Sequence, residues 1–139
     1  MLPSADYPSF SSARIHLKEV LDRADRGQIV TIARGHEKSA VLSAEKLREL
    51  LTQTVRPQIQ VAHEDDRIIV FMESRPFVSE GLTVDDALDD LIESLREYAE
   101  DWVEHLSGAP NHAGNWALVE LVTLSSDQQL RDWFERDGE

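Results

Sequence analysis

The chain has 139 residues, of which 41% are hydrophobic and 29% charged, and its formal net charge is −13. This length accommodates one ordinary domain or two small ones, and the composition is typical of globular rather than disordered proteins. The absence of cysteine excludes disulfides, thiol catalysis and thiolate zinc sites. The sequence has no signal-peptide pattern and no apolar run near the roughly 20 residues of a membrane helix, so we expect a cytoplasmic protein without a membrane partner.

The charge is unevenly distributed along the sequence. Residues 1–57 carry nine Lys/Arg against seven Asp/Glu, whereas residues 58–139 carry five Arg against 20 Asp/Glu. The two parts therefore have net charges of +2 and −15. This asymmetry predicts two different partners, because the first part can approach a polyanion whereas the second attracts a basic surface.

The first part predicts a helix, a β-hairpin and a second helix. In chain order these are a helix at 11–27, strands at 28–33 and 39–44 joined through 34–38, and a helix at 43–53. Ser11 or Ser12 is the expected N-cap of the first helix, and Gly27 is placed to end it. Ser43 is the expected N-cap of the second helix. Pro57 follows this helix, which places the domain boundary between residues 56 and 57.

The second part predicts another small α+β domain, residues 57–139. Its elements are a hairpin at 58–74 turning at 64–66, an amphipathic helix at 83–106, a loop at 108–115, a strand at 116–124 and a helix at 126–136. The long helix begins at Thr83 with a pattern like a capping box. The predicted strand is the apolar run "WALVELVTL". The last helix shows Leu130, Trp133 and Phe134 on one face.

No pattern in the sequence supports catalysis. His63, Asp65 and Asp66 form the densest local cluster, but they fall at a predicted exposed turn, where Asp is favoured for backbone reasons. His105 and His112 are seven residues apart across a Gly/Pro loop. The sequence has no Gly-rich phosphate loop, HExxH or GxSxG motif. We therefore predict no catalytic residue, metal site or cofactor, and a small hydrolase using His63, Asp65 and Asp66 is a remote alternative.

The helix at 83–106 is strongly acidic. Nine carboxylates accompany the single Arg96, and they are Asp85, Asp86, Asp89, Asp90, Glu93, Glu97, Glu100, Asp101 and Glu104. Neighbours at i, i+4 repel one another, each pair costing about 0.2–0.5 kcal/mol. Two interpretations stay open, a solvated face or an anionic surface for a cationic partner.

The basic residues of the first part form the other candidate surface. Arg14 is expected in the first turn of the first helix, where its charge opposes the helix dipole while the free backbone amides can meet a phosphate. If the hairpin tip lies beside this helix start, Arg14, Arg34, His36 and Lys38 form one cationic patch. Arginine can read guanine or clamp a phosphate, and a two-fold dimer would match a palindromic site. An ordinary mixed-charge surface is the alternative.

Residues 10–51, "FSSARIHLKEVLDRADRGQIVTIARGHEKSAVLSAEKLRELL", resemble the N-terminal domain of the Phd/YefM antitoxins of bacterial toxin–antitoxin modules. The resemblance lies in an ordered set of short motifs: Ser12-Ala13-Arg14, the Leu17/Leu21 spacing, Gly27, Ile32-Ala33-Arg34, Ala40-Val41-Leu42 and Ser43-Ala44-Glu45. It departs from the family at Gly35, which stands one residue earlier than the usual turn glycine. The expected first strand, residues 5–10, contains Pro8 and should therefore be short or at an edge.

The resemblance implies a dimeric α/β domain at 1–56 that binds the operator of its own operon. The implied DNA contacts come from the start of the first helix and from an Arg after the second strand, here Ser12, Arg14 and Arg34; His36 and Lys38 are added from their place at the hairpin tip. Residues 79–102 also resemble the Gly-x-Thr-x-x-Glu-Ala helix start of HicB-type antitoxins.

The sequence thus predicts an antitoxin that neutralises a basic, RNase-type toxin through residues 57–139 and represses its operon as a homodimer on operator DNA. The predicted toxin-binding residues are Asp86, Asp89, Glu93, Glu97, Trp102 and Trp133. The alternative is a DNA-binding regulator whose acidic domain binds a non-toxin partner or only oligomerises.

Overall fold

The computed structural model describes residues 4–136. Within this range the fold is α+β, with two antiparallel sheets and six α-helices. The elements are α1 (Phe10–Ile15), α2 (Leu17–Asp25), β1 (Val30–Arg34), β2 (Glu37–Val41), α3 (Ala44–Thr54), β3 (Ile59–Glu64), β4 (Arg67–Met72), β5 (Val78–Gly81), α4 (Val84–Asp101), a π-helical segment (Trp102–Leu106), a 3₁₀ turn (Ala113–Asn115), α5 (Trp116–Leu124) and α6 (Asp127–Arg136). The chain divides into two compact units between Leu47 and Arg48.

The predicted first helix is two helices, α1 and α2, separated at His16. The backbone of His16 (φ −106°, ψ 27°) leaves the helical region, and its Nδ1 donates to the carbonyl of Ser12 at 2.9 Å. The N-cap is Ser9, whose hydroxyl accepts from the backbone N–H of Ser12 at 3.1 Å, rather than Ser11 or Ser12. The helix therefore begins earlier than expected, and this shifts every position within it.

The core of the first unit joins the helices to the hairpin. It consists of Tyr7, Ala13, Val20 and Val30, with Ile32 and Val41 packed against it. The segment before α1 is attached to β1 by a single parallel bridge between Tyr7 and Ile32, in which Tyr7 N–H donates to the carbonyl of Thr31 and the Ala33 N–H donates to Tyr7. This agrees with the expectation that Pro8 would keep this strand short.

The hairpin connection is shorter than predicted. Arg34 pairs with Glu37, so only Gly35 and His36 form the turn, instead of residues 34–38. Gly35 has φ +62° and His36 does not have a positive φ, which is typical of a type II′ turn with glycine at its first central position.

The division into units lies inside α3, rather than at the expected boundary after residue 56. Ser43 caps α3 as predicted, by accepting from the Lys46 N–H at 3.1 Å. The second half of α3 packs with the second unit, because Leu51 and Val55 are buried and the Trp133 indole donates to the carbonyl of Val55 at 2.9 Å. The end of α3 thus belongs with the residues that follow it.

The second unit contains a three-stranded antiparallel sheet covered by α4. The strand order is β3-β4-β5, and β3 and β4 are joined by a tight turn at Asp65 and Asp66, both with positive φ. The short edge strand β5 was not predicted from the sequence. It ends at Gly81, where an added Cβ would lie 2.6 Å from the backbone nitrogen of Ala87, so the strand can approach α4 closely only with glycine there.

The long helix has the expected start and an unexpected end. Thr83 accepts from the N–H of Asp86 at 3.1 Å and caps α4. After Asp101 the hydrogen bonding widens into the π-helical segment Trp102–Leu106, closed by the Ser107 N–H donating to Trp102 O at 2.9 Å. The indole of Trp102 donates to the carbonyl of His112 at 2.8 Å, which fastens the following loop.

The predicted strand at 116–124 is a helix, α5. Its buried residues are Leu118, Val119, Leu121 and Val122, which recur at helical spacing. A continuous apolar run has no period of its own, so it fits a buried helix as well as a buried strand. The helix α6 agrees with prediction and buries Leu130, Trp133 and Phe134. Among residues 4–136, no helix is both long and apolar enough to cross a bilayer.

Candidate functional site

The first candidate surface carries the basic residues of the first unit. Arg14 is exposed and lies in the last turn of α1, not the first. A positive charge at that end favours the helix, because it faces the negative end of the helix dipole. The prediction that Arg14 lies in the first turn beside free amides is therefore wrong, because those amides belong to the turn that Ser9 caps.

The strand register separates the hairpin cations. Directly opposed residues of an antiparallel pair lie on the same face, and successive residues alternate faces. Arg34 therefore shares the face of Val30 and Ile32, which pack toward the helices, whereas Lys38 pairs with Ala33 on the other face. The register thus places two of the four predicted cations, Arg34 and Lys38, on opposite faces of the hairpin.

Arg34 is the cation on the helix-facing side of the hairpin end. It is exposed, it makes no ion pair within the described part of the chain, and it lies opposite Glu37 across the strands. His36 is exposed in the turn itself, and α1 packs beside β1. Ser12 is half-buried, with its carbonyl occupied by His16. Ser12 and Arg14 thus belong to α1, and Arg34 belongs to the strand that α1 contacts.

The second candidate surface is the exposed face of α4. Its carboxylates recur at alternating spacings of four and three residues, which places them in one stripe along the helix. We call this the acidic stripe, and its members are Asp86, Asp90, Glu93, Glu97, Glu100 and Glu104. All are exposed, and within residues 4–136 none makes an ion pair. The stripe therefore presents its negative charge to solvent.

Two carboxylates beside the stripe, Asp85 and Asp89, form ion pairs within the second unit. Arg131 of α6 donates to Asp85 Oδ1 at 3.0 Å and to Asp89 Oδ1 at 2.5 Å, and its side chain is only 18% exposed. The hydrogen bond to Asp89, then that to Asp85 and the two charges, raise the pKa of Arg131 against the opposing effect of burial. Asp89, predicted as a toxin contact, is thus a structural partner that holds α6 to α4.

Arg96, the cation on α4, is likewise bonded within the second unit. Arg96 donates to the carbonyls of Val122 and Ser125 at 2.6 and 2.9 Å, and to Asp127 Oδ1 at 2.6 Å. Its charge is compensated by Asp127 and directed toward α5 and α6. It therefore does not neutralise the acidic stripe.

The two tryptophans predicted as toxin contacts differ in their exposure to solvent. Trp133 is 2% exposed and lies in the core, so it is not available to a partner, and its place among the contact residues is corrected. Trp102 is half-buried, with its indole N–H held by His112. The amphipathic spacing that buries Leu130, Trp133 and Phe134 already indicated a core role for Trp133.

Two groups of residues were missed from the sequence. Arg96 and Arg131 clamp the helices, and no local motif marks them because their partners are 26 to 46 residues away. Exposed apolar residues of the first unit are the other group, and they include Ile15 (73% exposed), Leu17 (53%) and Leu21 (50%). The Leu17/Leu21 spacing is part of the resemblance to antitoxins, but only Val20 and Ala24 of α2 are buried.

The histidines and aspartates that the sequence singles out for chemistry lie outside these two surfaces. His63, Asp65 and Asp66 are all exposed, and across residues 4–136 no group of three His, Asp or Glu side chains is arranged to hold a metal ion. His105 pairs with Asp101 at 2.9 Å, whereas His112 Nδ1 is 2.9 Å from the Tyr98 hydroxyl, which also accepts from Asn115. These contacts anchor the loop after α4.

The comparisons with known proteins agree with this fold. A family model described as the antitoxin of a toxin–antitoxin system, RelE/RelB, matches residues 5–129. The chain belongs to this antitoxin family, which implies a cognate toxin as partner. The resemblance to antitoxins in residues 10–51 is thereby confirmed, and the match continues through most of the second unit.

A solved structure has the same fold. It is the crystal structure of the antitoxin part of a proposed toxin/antitoxin system from Syntrophomonas wolfei subsp. wolfei, with a TM-score of 0.79 and 20% sequence identity. The alignment covers 92% of this chain and 95% of that chain. No curated protein matches the sequence.

Proposed function

We propose that the second unit neutralises a basic toxin, of RNase type, by binding it through the acidic stripe of α4. The observation that carries this proposal is the stripe itself, six exposed carboxylates without an ion-pair partner among residues 4–136. Like charges at i, i+4 weaken a helix, so a helix that keeps them gains no stability from the arrangement. A cationic partner would remove the repulsion and be steered to the site. The role is one of binding, without catalysis.

The first unit, in this proposal, represses the operon by binding operator DNA. Arg34 and Arg14 are the principal contacts, with Ser12 as a third, because both arginines are exposed and α1 contacts the strand that ends at Arg34. Exposed arginines suit both phosphate contact and guanine recognition. His36, at the turn, is a secondary contact. Lys38 on the opposite face would reach DNA only from another direction.

Operator binding would use a homodimer. The first unit exposes apolar side chains that its own core does not cover, and Leu17 and Leu21 stand one turn apart on α2. Exposed apolar surface of this kind suits burial against a second copy. Replacing both residues with lysine is expected to give a monomer in light scattering while the far-UV circular dichroism is retained. A dimer that persists would place the interface elsewhere.

The toxin proposal is tested with the purified product of the adjacent gene. We expect the chain to bind it, and the double variant Glu93→Lys/Glu97→Lys to bind at least about tenfold more weakly, because charge reversal replaces attraction by repulsion. Asp89 is left unchanged, since it holds Arg131. The control is Glu73→Lys/Glu135→Lys, which makes the same charge change at exposed positions outside the stripe. Equal losses in both variants would mean that net charge, and not the stripe, governs binding.

The alternative is a DNA-binding regulator whose acidic unit binds a non-toxin partner or only oligomerises. The charge separation between the two parts of the chain fits both readings equally. Failure of the adjacent gene product to bind or to be neutralised, with operator binding intact, would favour this alternative.

A further inference from the structure

We infer that a groove between α4 and α5 receives a basic amphipathic segment of the cognate toxin, and that the stripe residues Glu100 and Glu104 form its acidic rim. The inference rests on the proposed function and adds to it the chemistry of the segment that is bound. The groove has a volume of about 490 Å³. It is lined by Arg96, Ala99, Glu100, Val103, Glu104, Val122 and Thr123.

The floor of the groove is apolar, and it includes a side chain left uncovered. Ala99 and Val122 are buried, whereas Val103 is 64% exposed. Val103 lies in the π-helical segment, and such segments often occur where a helix is adapted to a functional contact. A partner that covers Val103 gains the burial of a branched apolar side chain. The groove is therefore suited to an apolar anchor from the partner.

The charges around the groove restrict which partner can supply this anchor. Glu100 and Glu104 are exposed and make no ion pair among the described residues, so each can pair with a cation of the partner. Arg96, the one cation of the lining, is already bonded to Asp127 and to the carbonyls of Val122 and Ser125. An acidic segment would meet uncompensated carboxylates, and binding would be opposed.

A second depression extends the same surface along α4. It is lined by Asp89, Ile92, Glu93, Arg96 and Asp127, and it shares Arg96 with the groove. The matching ligand is therefore an amphipathic segment with apolar residues on one side and Lys/Arg on its flanks. Helix-in-groove recognition has this character, with a few apolar anchors that give affinity and flanking charges that fix orientation.

The test measures binding of the purified adjacent gene product to the full chain by calorimetry. Val103→Gln removes the exposed apolar side chain of the groove and is expected to raise Kd at least about tenfold, as for a central anchor residue. Val78→Gln is its matched control, since Val78 of β5 is also 64% exposed, and it should change Kd less than about twofold. Both positions are exposed, so both variants are expected to fold.

The charged rim is tested separately. Glu100→Gln/Glu104→Gln should raise Kd at least about tenfold at low salt and reduce the dependence of Kd on salt, whereas Glu73→Gln should leave both unchanged. Wild-type binding with unaffected Val103 and rim variants would overturn the groove and leave the proposed function standing. Loss of affinity in the Val78 variant, without a loss in the Val103 variant, would indicate that the toxin contacts the sheet and not the groove. Failure of the wild-type chain to bind would overturn both.

Discussion

The indole Nε1 of Trp133 donates to the carbonyl of Val55 at 2.9 Å, across 78 residues of sequence. This bond joins α6 to the end of α3, and Arg136 adds a second link by donating to the Thr52 hydroxyl at 3.1 Å. The Val55 carbonyl lies just beyond the last turn of α3, where main-chain acceptors have no partner within the helix. A buried donor from α6 therefore completes the end of α3.

Replacing Trp133 should destabilise the second unit. Trp133→Phe keeps most of the apolar volume but leaves the Val55 carbonyl without its donor, so we expect a loss of about 1–3 kcal/mol in the free energy of unfolding. Urea denaturation followed by circular dichroism measures it. Trp116→Phe, at a position 53% exposed, should change stability by less than about 0.5 kcal/mol. Comparable losses in both variants would mean that the hydrogen bond contributes little.

The close approach of β5 to α4 makes Gly81 difficult to replace. A Cβ there would stand 2.6 Å from Ala87 N and 2.7 Å from Asp86 Cβ, so the strand and the helix start would have to separate. We expect Gly81→Ala to lower the free energy of unfolding by about 1–3 kcal/mol. Gly108→Ala is the control, because no atom lies within 4 Å of its added Cβ. A neutral Gly81→Ala would show that the contact relaxes easily.

Asp6 should make the first unit sensitive to acid. The backbone N–H of Thr31 donates to its carboxylate at 2.9 Å, and this bond is the largest cause that lowers the pKa of Asp6 below 3.8. The unfolded chain therefore binds a proton at Asp6 more readily than the folded chain does. The contribution of ionised Asp6 to the stability of the first unit is complete well above pH 3.8, and it is lost as the pH falls through the pKa of Asp6 in the folded chain.

Hydrogen exchange at the Thr31 amide measures this effect as a function of pH. Exchange protection should fall in the wild-type chain as the pH is lowered below 3.8, and it should not depend on pH over this range in Asp6→Asn, whose side chain does not titrate. Asp25→Asn is the control, because the Asp25 side chain makes no hydrogen bond with the described residues. The same acid dependence in wild type and Asp6→Asn would assign the effect to other carboxylates.

The separation of Arg34 from Lys38 predicts unequal effects on DNA binding. With the DNA segment immediately upstream of the gene, Arg34→Ala should weaken binding by about 1–3 kcal/mol at fixed salt, because it removes a contact on the face shared with α1. Lys38→Ala should weaken it less. Arg26→Ala, a control at the end of α2, removes the same charge away from the hairpin. Equal effects of all three variants would indicate only non-specific electrostatic attraction.

The sequence predicts elements well where a local signal specifies them. Ser43 and Thr83 cap the helices that their motifs predict, and the apolar spacing of α6 correctly selects Leu130, Trp133 and Phe134. The α+β class follows from these elements. Each of these features depends on residues within three or four positions of one another, so the sequence contains the necessary information.

The predictions from the sequence are wrong where packing between separate elements determines the structure. Trp116–Leu124 packs as a helix against α4, a contact that its own apolar run does not specify, and the break at His16 follows no Gly or Pro. The four-residue strand β5 is stabilised by its pairing with β4 and its contact with α4. At the candidate surfaces, spacing identified the carboxylates of α4, but only the structure separates Asp89, bonded to Arg131, from Glu93 and Glu97.

The positions of the aromatic residues have a spectroscopic consequence. All three tryptophans, Trp102, Trp116 and Trp133, belong to the second unit, whereas Tyr7 is the sole tyrosine of the first and the chain's other tyrosine is Tyr98. Fluorescence excited at 295 nm, where tyrosine barely absorbs, therefore reports only on the second unit. An unfolding curve recorded this way and one recorded by circular dichroism will coincide only if the two units melt together.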